Sequence, residues 1–509
     1  MDAPTGKRRF DGDREAGMSE IKHGAARDDR ENAYFAVRGL RQSAGSWSLW
    51  ALGVGAVISG DFFGWNFGLP VAGSGGMAIA AVITAVMYIC LCFSIAELAS
   101  GMPFAGGAYA YARAAFGPWG GFIAGLAQSA VYILTTAVIV VGMAFYANTM
   151  TSDYLNFDIP NPVWWLVFYG LFTGINVAGA SLTFRLVIYL TCLALVILAI
   201  FWLGAVSQVD ASRWALNIGE YGEELADGDG LFLPFGGGGI VAALPYVIWF
   251  YLAIELIPLA GEESHNPRQD LPKAMVRGVI TLVIASGLTL GLFAAIPPGA
   301  SMLGDSGDPL YLVSQTVYGD LLNSTQMAAV SLIALSASLL AITYAFGRSV
   351  YALSRAGYIS KWLSVTTGNR QTPARALIAG ALIGSLICLL IEFGGVVLAG
   401  AIGSILLNTA VFAAVLSYFM QMAAYLKLKG KIARPIYVSP LGIPGAVTAL
   451  LMGLVVLAAL LMDEATRMGI YGVAIWLGTG LTWFAVFRRN RLTSAPEERF
   501  AREIEADKS

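Results

Sequence analysis

From about residue 47 to residue 487 the chain is a succession of apolar runs, most of them 18 residues or longer, separated by short polar segments. A run of that length crosses the hydrocarbon core of a bilayer as one helix. The runs lie near 47–70, 76–101, 119–148, 162–182, 184–206, 238–260, 274–296, 325–353, 374–392, 396–425, 444–462 and 468–487. They predict an all-α polytopic membrane protein with twelve transmembrane helices. Residues 1–46 are polar and mixed in charge, with no apolar core of the signal-peptide kind, and are expected to form an N-terminal cytoplasmic tail. Residues 488–509 are charged and are expected to form a C-terminal cytoplasmic tail.

Charge placement orients this map. Of 31 Lys and Arg, only Arg213 and Arg467 fall in segments on the side opposite the termini. Basic residues collect on the cytoplasmic side of membrane proteins, so both ends are expected inside. The opposite segments are rich in acids, including Asp153, Asp210, Glu220, Glu223, Asp305 and Asp308. A negative mouth raises the local concentration of cations.

Composition narrows the function. Hydrophobic residues make up 57% of the chain and charged residues 13%; soluble domains carry about 25% charged residues. This excludes a disordered chain, a nucleic-acid binder and an ordinary cytosolic enzyme. His23 and His265 are the only histidines, so neither a His-rich metal centre nor a histidine-based triad is expected. Cys90, Cys92, Cys192 and Cys388 all lie inside apolar runs, so no disulfide framework is expected. No cofactor is called for.

Two of the runs are unsuited to plain anchoring. The first contains Gly53, Gly55, Gly60, Gly64 and Gly68, with Asp61 near its middle. Each glycine weakens a helix by about 1 kcal/mol relative to alanine, and a carboxylate at the bilayer centre costs roughly 2.5–3.5 kcal/mol. The sixth is preceded by glycines at 236–239, is interrupted by Pro245, and holds Trp249, Phe250 and Tyr251 just before Glu255. Interrupted helices in corresponding places of two halves point to an inverted-repeat transporter, with the substrate held at the breaks. Asp61 and Glu255 are the acids placed deep in the membrane, and no Lys or Arg joins them there. A cation about 4 Å from a carboxylate gains about 4 kcal/mol at an effective dielectric of 20. Aromatic faces add about 0.5–2 kcal/mol. The partner expected is therefore a small cationic amine.

Three stretches resemble the amino acid–polyamine–organocation permeases. They are Ala96-Glu97-Leu98 with Pro103, Gly106-Gly107-Ala108-Tyr109, Arg113 and Phe116-Gly117; Glu262-Glu263 with Asn266-Pro267 and Leu271-Pro272-Lys273-Ala274; and Arg348, Tyr351-Ala352-Leu353, Arg355, Gly357 and Lys361-Trp362. In that pattern Glu97, Glu262 and Glu263 read as structural groups of the cytoplasmic side. Within the superfamily the chain is most similar to ethanolamine permeases, on the runs 58–66 and 248–255. The resemblance implies a leucine-transporter-type fold: a transporter domain at 47–487 with inverted five-helix repeats at 47–206 and 238–425, extra helices at 444–487, and the first and sixth helices discontinuous. It implies a bacterial inner-membrane permease importing ethanolamine or a related amine by alternating access. The alternatives are an amino acid or polyamine permease, or an amine sensor that does not transport.

Amino-acid members carry Gly-Ser-Gly where this chain has Ser59-Gly60-Asp61. Backbone N–H groups of that turn receive a substrate carboxylate; here an acid occupies the third position and would repel one. The expected substrate-binding set is Ser59, Gly60, Asp61, Phe62, Gln128, Tyr132, Trp249, Phe250, Tyr251, Ala253 and Glu255. Coupling stays open among three routes. Ser336 and Ser338 offer oxygens to a sodium ion; Asp61 or Glu255 offers to carry a proton; the membrane potential alone would drive a cation inward.

Overall fold

A computed structural model describes residues 37–506 apart from 227, 367, 394–401, 433–434, 463 and 494. Most of the expected N-terminal tail (1–36), the start of the tenth run (396–401), and Asp227 and Asp463 lie outside the described residues. Helices account for the core, and only two isolated bridges, Ala44 to Ser264 and Ile218 to Glu224, pair backbone in the β manner among the described residues.

The main helices are α1 (Ser46–Val57), α2 (Leu69–Gly101), α3 (Ala108–Leu155), α4 (Asn161–Ala178), α5 (Ala180–Ala205) and α6 (Gly236–Ile248). They continue with α7 (Pro267–Phe293), α8 (Ser324–Arg355), α9 (Ala374–Glu392), α10 (Ile402–Leu428), α11 (Gly442–Met462), α12 (Glu464–Trp483) and α13 (Pro496–Ala506). As far as they are described, the expected apolar runs fall on these helices or on a helix with a break in it. Eight helical stretches are long and apolar enough to cross a membrane, and Gly236–Ile248 and Ala374–Leu390 are shorter apolar helices, among the described residues.

Local chemistry sets the helix ends. Pro70, Pro162 and Pro267 stand in the first turns of α2, α4 and α7, where a missing N–H costs nothing. The start of α8 is a reciprocal cap: Asn323 Oδ1 accepts from the Gln326 N–H at 2.9 Å, and Gln326 Oε1 accepts from the Asn323 N–H at 3.0 Å. Gly73, at φ 66°, breaks α2 near its start and separates the outer end of the first span from the second. A side chain is disfavoured in that left-handed region, and a Cβ there would lie 2.6 Å from Pro234 Cγ.

Helices α1, α2, α6 and α7 pack on one another, while α3 lies between α8 and α10. The two groups meet where α1 crosses α8. Residues 37–46 and α13 lie on the same face: the Ser43 and Ala44 N–H groups donate to the Glu263 carbonyl at 2.8 and 2.9 Å, and Glu498 of α13 meets Arg113 at 2.7 Å. We call this the terminal face. The segment 206–235 and the short helices Ala300–Asp305 and Pro309–Tyr318 form the opposite, loop face.

Gly73→Ala is expected to cost at least about 1–2 kcal/mol and to lower the melting temperature of detergent-purified protein. Gly287→Ala, whose added Cβ meets nothing within 4 Å, is the control and should leave that temperature unchanged or raised. Equal melting temperatures for the two variants would refute this account of the bend.

Candidate functional site

Backbone freed from a helix inside a membrane is tolerated only where protein buries it. The first span obeys this rule at 58–68. After α1 the chain makes a tight 3₁₀ turn at Ile58–Asp61, turns at Gly64, and resumes as Trp65–Gly68 running into α2. Ser59, Gly60, Asp61 and Phe62 are all buried. The Ser59 N–H donates to Ser338 Oγ at 3.2 Å, and the Ser338 hydroxyl donates to the Gly55 carbonyl at 2.8 Å. Ser338 of α8 thus replaces helical partners lost at the break. Ser336 is two residues away on the same helix, half-buried, and about 200° round the axis, so it faces elsewhere.

Asp61 is 1% exposed. Its Oδ1 accepts from Thr289 Oγ1 of α7 at 2.9 Å, and its Oδ2 has no partner. No basic side chain pairs with it among the described residues.

The sixth span breaks at 249–253, opposite the first. Gly60 allows the contact: a Cβ there would lie 2.6 Å from the Trp249 carbonyl oxygen. Ala253 closes the break at φ 86°, a region alanine rarely visits, and Ile254–Glu263 continues as a tight helix. Such a residue costs of order 1–3 kcal/mol and persists where its surroundings enforce it.

The aromatic triplet is divided among three surroundings. The Trp249 indole lies edge-on to Phe63 at 6.4 Å, its Nε1 buried without a partner. Phe250 stacks on Trp65 at 5.8 Å. Tyr251 stacks on Tyr88 of α2 at 4.8 Å and shares a 2.7 Å hydrogen bond with Ser286 of α7. Tyr251 is also near enough to Asp61 to feel its charge.

Glu255 belongs to a second polar group. Its Oε2 accepts from the Tyr418 hydroxyl of α10 at 3.0 Å, and Tyr418 and Tyr88 hydroxyls lie 3.0 Å apart. A line of hydroxyls therefore runs beside the Tyr251 ring to Glu255. Tyr132 feels the Glu255 charge and accepts from Gln128 Nε2 at 3.1 Å. Gln128 lies beside Gly107 and Leu259, nearer the terminal face than Asp61. The expected site residues thus fall into an Asp61 group and a Glu255 group, with Tyr251 between them.

Both faces are closed over this centre. On the loop face Asn66 Nδ2 donates to the carbonyls of Leu303 and Ser306 at 2.7 and 2.8 Å, fastening the short helix Ala300–Asp305 to the outer part of the first span. On the terminal face the closure is ionic. Glu263 meets Arg348 at 2.8 Å with both fully buried, and Tyr344 also donates to Glu263. Glu262 takes both terminal nitrogens of Arg355, at 2.6 and 2.7 Å. Glu97 meets Lys429 at 2.6 Å. These pairs agree with the structural reading of Glu97, Glu262 and Glu263.

The C-terminal stretch, expected as a tail, folds back as α13 and completes this closure. Glu497 meets Arg355 at 2.8 Å, beside Glu262, and Glu498 meets Arg113 at 2.7 Å. Tyr109 and Tyr358 both donate to Glu498 Oε1 at 3.0 Å. Burial outweighs Arg355 and pushes Glu497 up to about 7. For Glu262 the two bonds from Arg355 overcome burial and hold the carboxyl below its ordinary value.

Several of these residues carried no signal along the chain. Thr289, Ser286, Tyr88 and Tyr418 are single polar groups in apolar runs. Asn66 was visible as the one amide beside the broken stretch. Glu497 and Glu498, directly after Pro496, bear the mark of a helix start.

Two facing breaks, buried backbone and an acid with a free oxygen, closed from both faces, define a membrane transporter of the broken-helix class. The chain belongs to the amino acid permease family, which matches residues 49–494. It is 29% identical over 335 residues to an uncharacterized transporter of Rhizobium meliloti (strain 1021), covering 65% of this chain and 69% of that one. It is 24% identical over 444 residues to the aromatic amino acid transport protein AroP of Escherichia coli (strain K12), covering 84% and 91%. It is 23% identical over 356 residues to the methylthioribose transporter of Bacillus subtilis (strain 168), covering 66% and 72%.

The ionic closure makes two testable statements. Removing the charge of Glu498 breaks its buried ion pair with Arg113, and breaking a buried pair typically costs about 3–5 kcal/mol. In Glu498→Gln, amide hydrogen exchange over 496–506 is therefore expected to rise to the rate of an unfolded segment; unchanged protection would refute the pairing. Glu497 holds its proton more tightly when α13 is docked than when it is free. Its contribution to docking is complete below the ordinary value of 4.5 and is lost as pH rises through about 7. Protection of α13, corrected for intrinsic exchange, should fall between pH 5 and pH 8, and Glu497→Gln should flatten that change.

Proposed function

We propose that this permease imports ethanolamine, or a closely related small amine, by alternating access. The observation that carries the reading is the acid at the first break. Asp61 is buried, has one neutral hydrogen-bond donor in Thr289, and keeps Oδ2 unpaired. An ammonium group supplies the missing charge and fills that oxygen's vacancy. An α-carboxylate would meet like charge in a low-dielectric site, which selects against zwitterionic amino acids. Trp249, Phe250 and Tyr251 form the wall and gate around the amine. Ser59, Gly60, Phe62 and Ala253 shape the backbone around it, and Glu255 is a second acid that handles a proton through Tyr418 and Tyr88. Gln128 and Tyr132 line the inward path. Ser338 is the better candidate of the two α8 serines for ion coupling, because it already bonds the broken backbone.

In this reading the chain has twelve spans in two inverted repeats, 47–206 and 238–425, with extra helices at 444–487. The tails at 1–46 and 488–509 then face the cytoplasm of a bacterial inner membrane. Two features support it. Both described ends share one face, as an even number of crossings requires, and the broken spans α1 and α6 open the two proposed repeats. A second reading, an amino acid permease, is favoured by the substrate in the name of the aromatic amino acid relative.

Proteoliposome uptake separates the two. Labelled ethanolamine is expected to enter saturably and to be competed by ethanolamine but not by serine, which adds only a carboxylate. Asp61→Asn keeps the shape and removes the charge; uptake should fall on the order of a hundredfold or more, since a counter-charge at about 4 Å is worth about 4 kcal/mol. Full transport by Asp61→Asn, or competition by serine equal to that by ethanolamine, would overturn the assignment.

A further inference from the structure

A cavity of about 440 Å³ lies on the terminal face, between the first turns of α7 and the segment joining α10 to α11. Arg268, Lys273 and Arg277 line it together with Val276, Ile436 and Tyr437. The site is built rather than a loose cluster. Ser100, at the end of α2, ties its walls: the Ser100 hydroxyl donates to the Arg268 carbonyl at 3.0 Å, and Ser100 Oγ accepts the N–H groups of Ile436 and Tyr437 at 3.0 and 3.1 Å.

The three cations are exposed, and no ion pair reaches them among the described residues. This sets them apart from Arg113, Arg348, Arg355 and Lys429 on the same face, each of which meets a carboxylate. The nearby acids are already engaged. Asp270 accepts from the Ser264 hydroxyl and the Asn266 N–H, both at 3.1 Å, and Glu97 is held by Lys429. The cavity therefore carries a net positive charge.

Its surroundings match a lipid. Beyond Lys273 and Arg277, the outward side of α7 continues as Ile280, Ile284 and Leu288, all exposed, at helical spacing. The Arg277 guanidinium lies 4.6 Å from the centre of the Trp47 ring, itself exposed, and an aromatic of this kind marks the boundary between membrane and water. A cationic mouth above an apolar track fits a headgroup with its acyl chains.

We infer that this cavity binds one anionic phospholipid, its phosphate among Arg268, Lys273 and Arg277 and its chains along α7. The inference needs the chain only to be a membrane protein and is independent of the amine. Occupancy would bear on the transport site, because α7 also carries Ser286 and Thr289, the partners of Tyr251 and Asp61.

The test uses the full chain in nanodiscs of phosphatidylcholine with or without phosphatidylglycerol, read by native mass spectrometry and melting temperature. No amine is present, so failure of the ethanolamine reading leaves the result untouched. The wild type is expected to retain one phosphatidylglycerol and to melt higher with it. Each basic residue near a charged leaflet contributes roughly a fivefold gain in affinity, so a triple variant, Arg268→Gln, Lys273→Gln and Arg277→Gln, should bind roughly a hundredfold more weakly. The variant Arg268→Lys with Arg277→Lys should retain the lipid and shows that the fold survives. Undiminished retention by the triple variant would overturn the proposal. So would inorganic phosphate at millimolar concentration that stabilises detergent-purified protein as well as the lipid does, because the ligand would then be a soluble anion.

Discussion

Backbone that leaves a helix inside a bilayer must find its hydrogen bonds within the protein. Here two such stretches, 58–68 and 249–253, lie against one another and answer that demand with tight-turn bonds of their own, helped at the first by Ser338 and Asn66. Gly60 lets the Trp249 carbonyl approach as no larger residue would permit. Ser338 supplies both a donor and an acceptor to the chain around the first break. Asp61, Trp249 and Tyr251 are placed where they are because these breaks turn their backbones toward the interior. The surrounding helices serve to bury this pair.

The two closures use different chemistry. Neutral donors hold the loop face: Asn66 reaches carbonyls of a neighbouring segment, Tyr146 donates to Asp308, and Ser324 and Thr325 donate to Asp153, contacts of a kind that contribute about 0.5–3 kcal/mol each. The terminal face is held by ion pairs from Glu97, Glu262, Glu263, Glu497 and Glu498, and those of Glu263, Glu497 and Glu498 are buried. Breaking a buried pair by moving one member away exposes a lone charge to low dielectric, at a cost of several kcal/mol.

Much of this was legible along the chain. Apolar run length located the helices, since a bilayer imposes one length on all of them, and the acids and glycines of the first and sixth runs located both breaks. The motifs after the second, sixth and eighth runs named the structural acids at 97, 262 and 263. What escaped detection depends on neighbours distant in sequence. Thr289 is one hydroxyl in an apolar helix until the fold brings it to Asp61, 228 positions away. Ser336 and Ser338 look equivalent as a pair, yet the turn of the helix separates them. The charged segment after residue 488 reads as a solvated tail because the cations that receive Glu497 and Glu498 lie elsewhere in the sequence.

Arg355 stands at the junction of these parts, since it donates to one acid at the end of the sixth span and to another from α13. Were Glu262 to swing away with its segment, the guanidinium would still keep Glu497 at its side. The closing helix thus acts as a stand-in anion, so that opening of the terminal face need not take every carboxylate away from that guanidinium. A chain cut before residue 496 would lose that substitute while leaving every membrane helix in place.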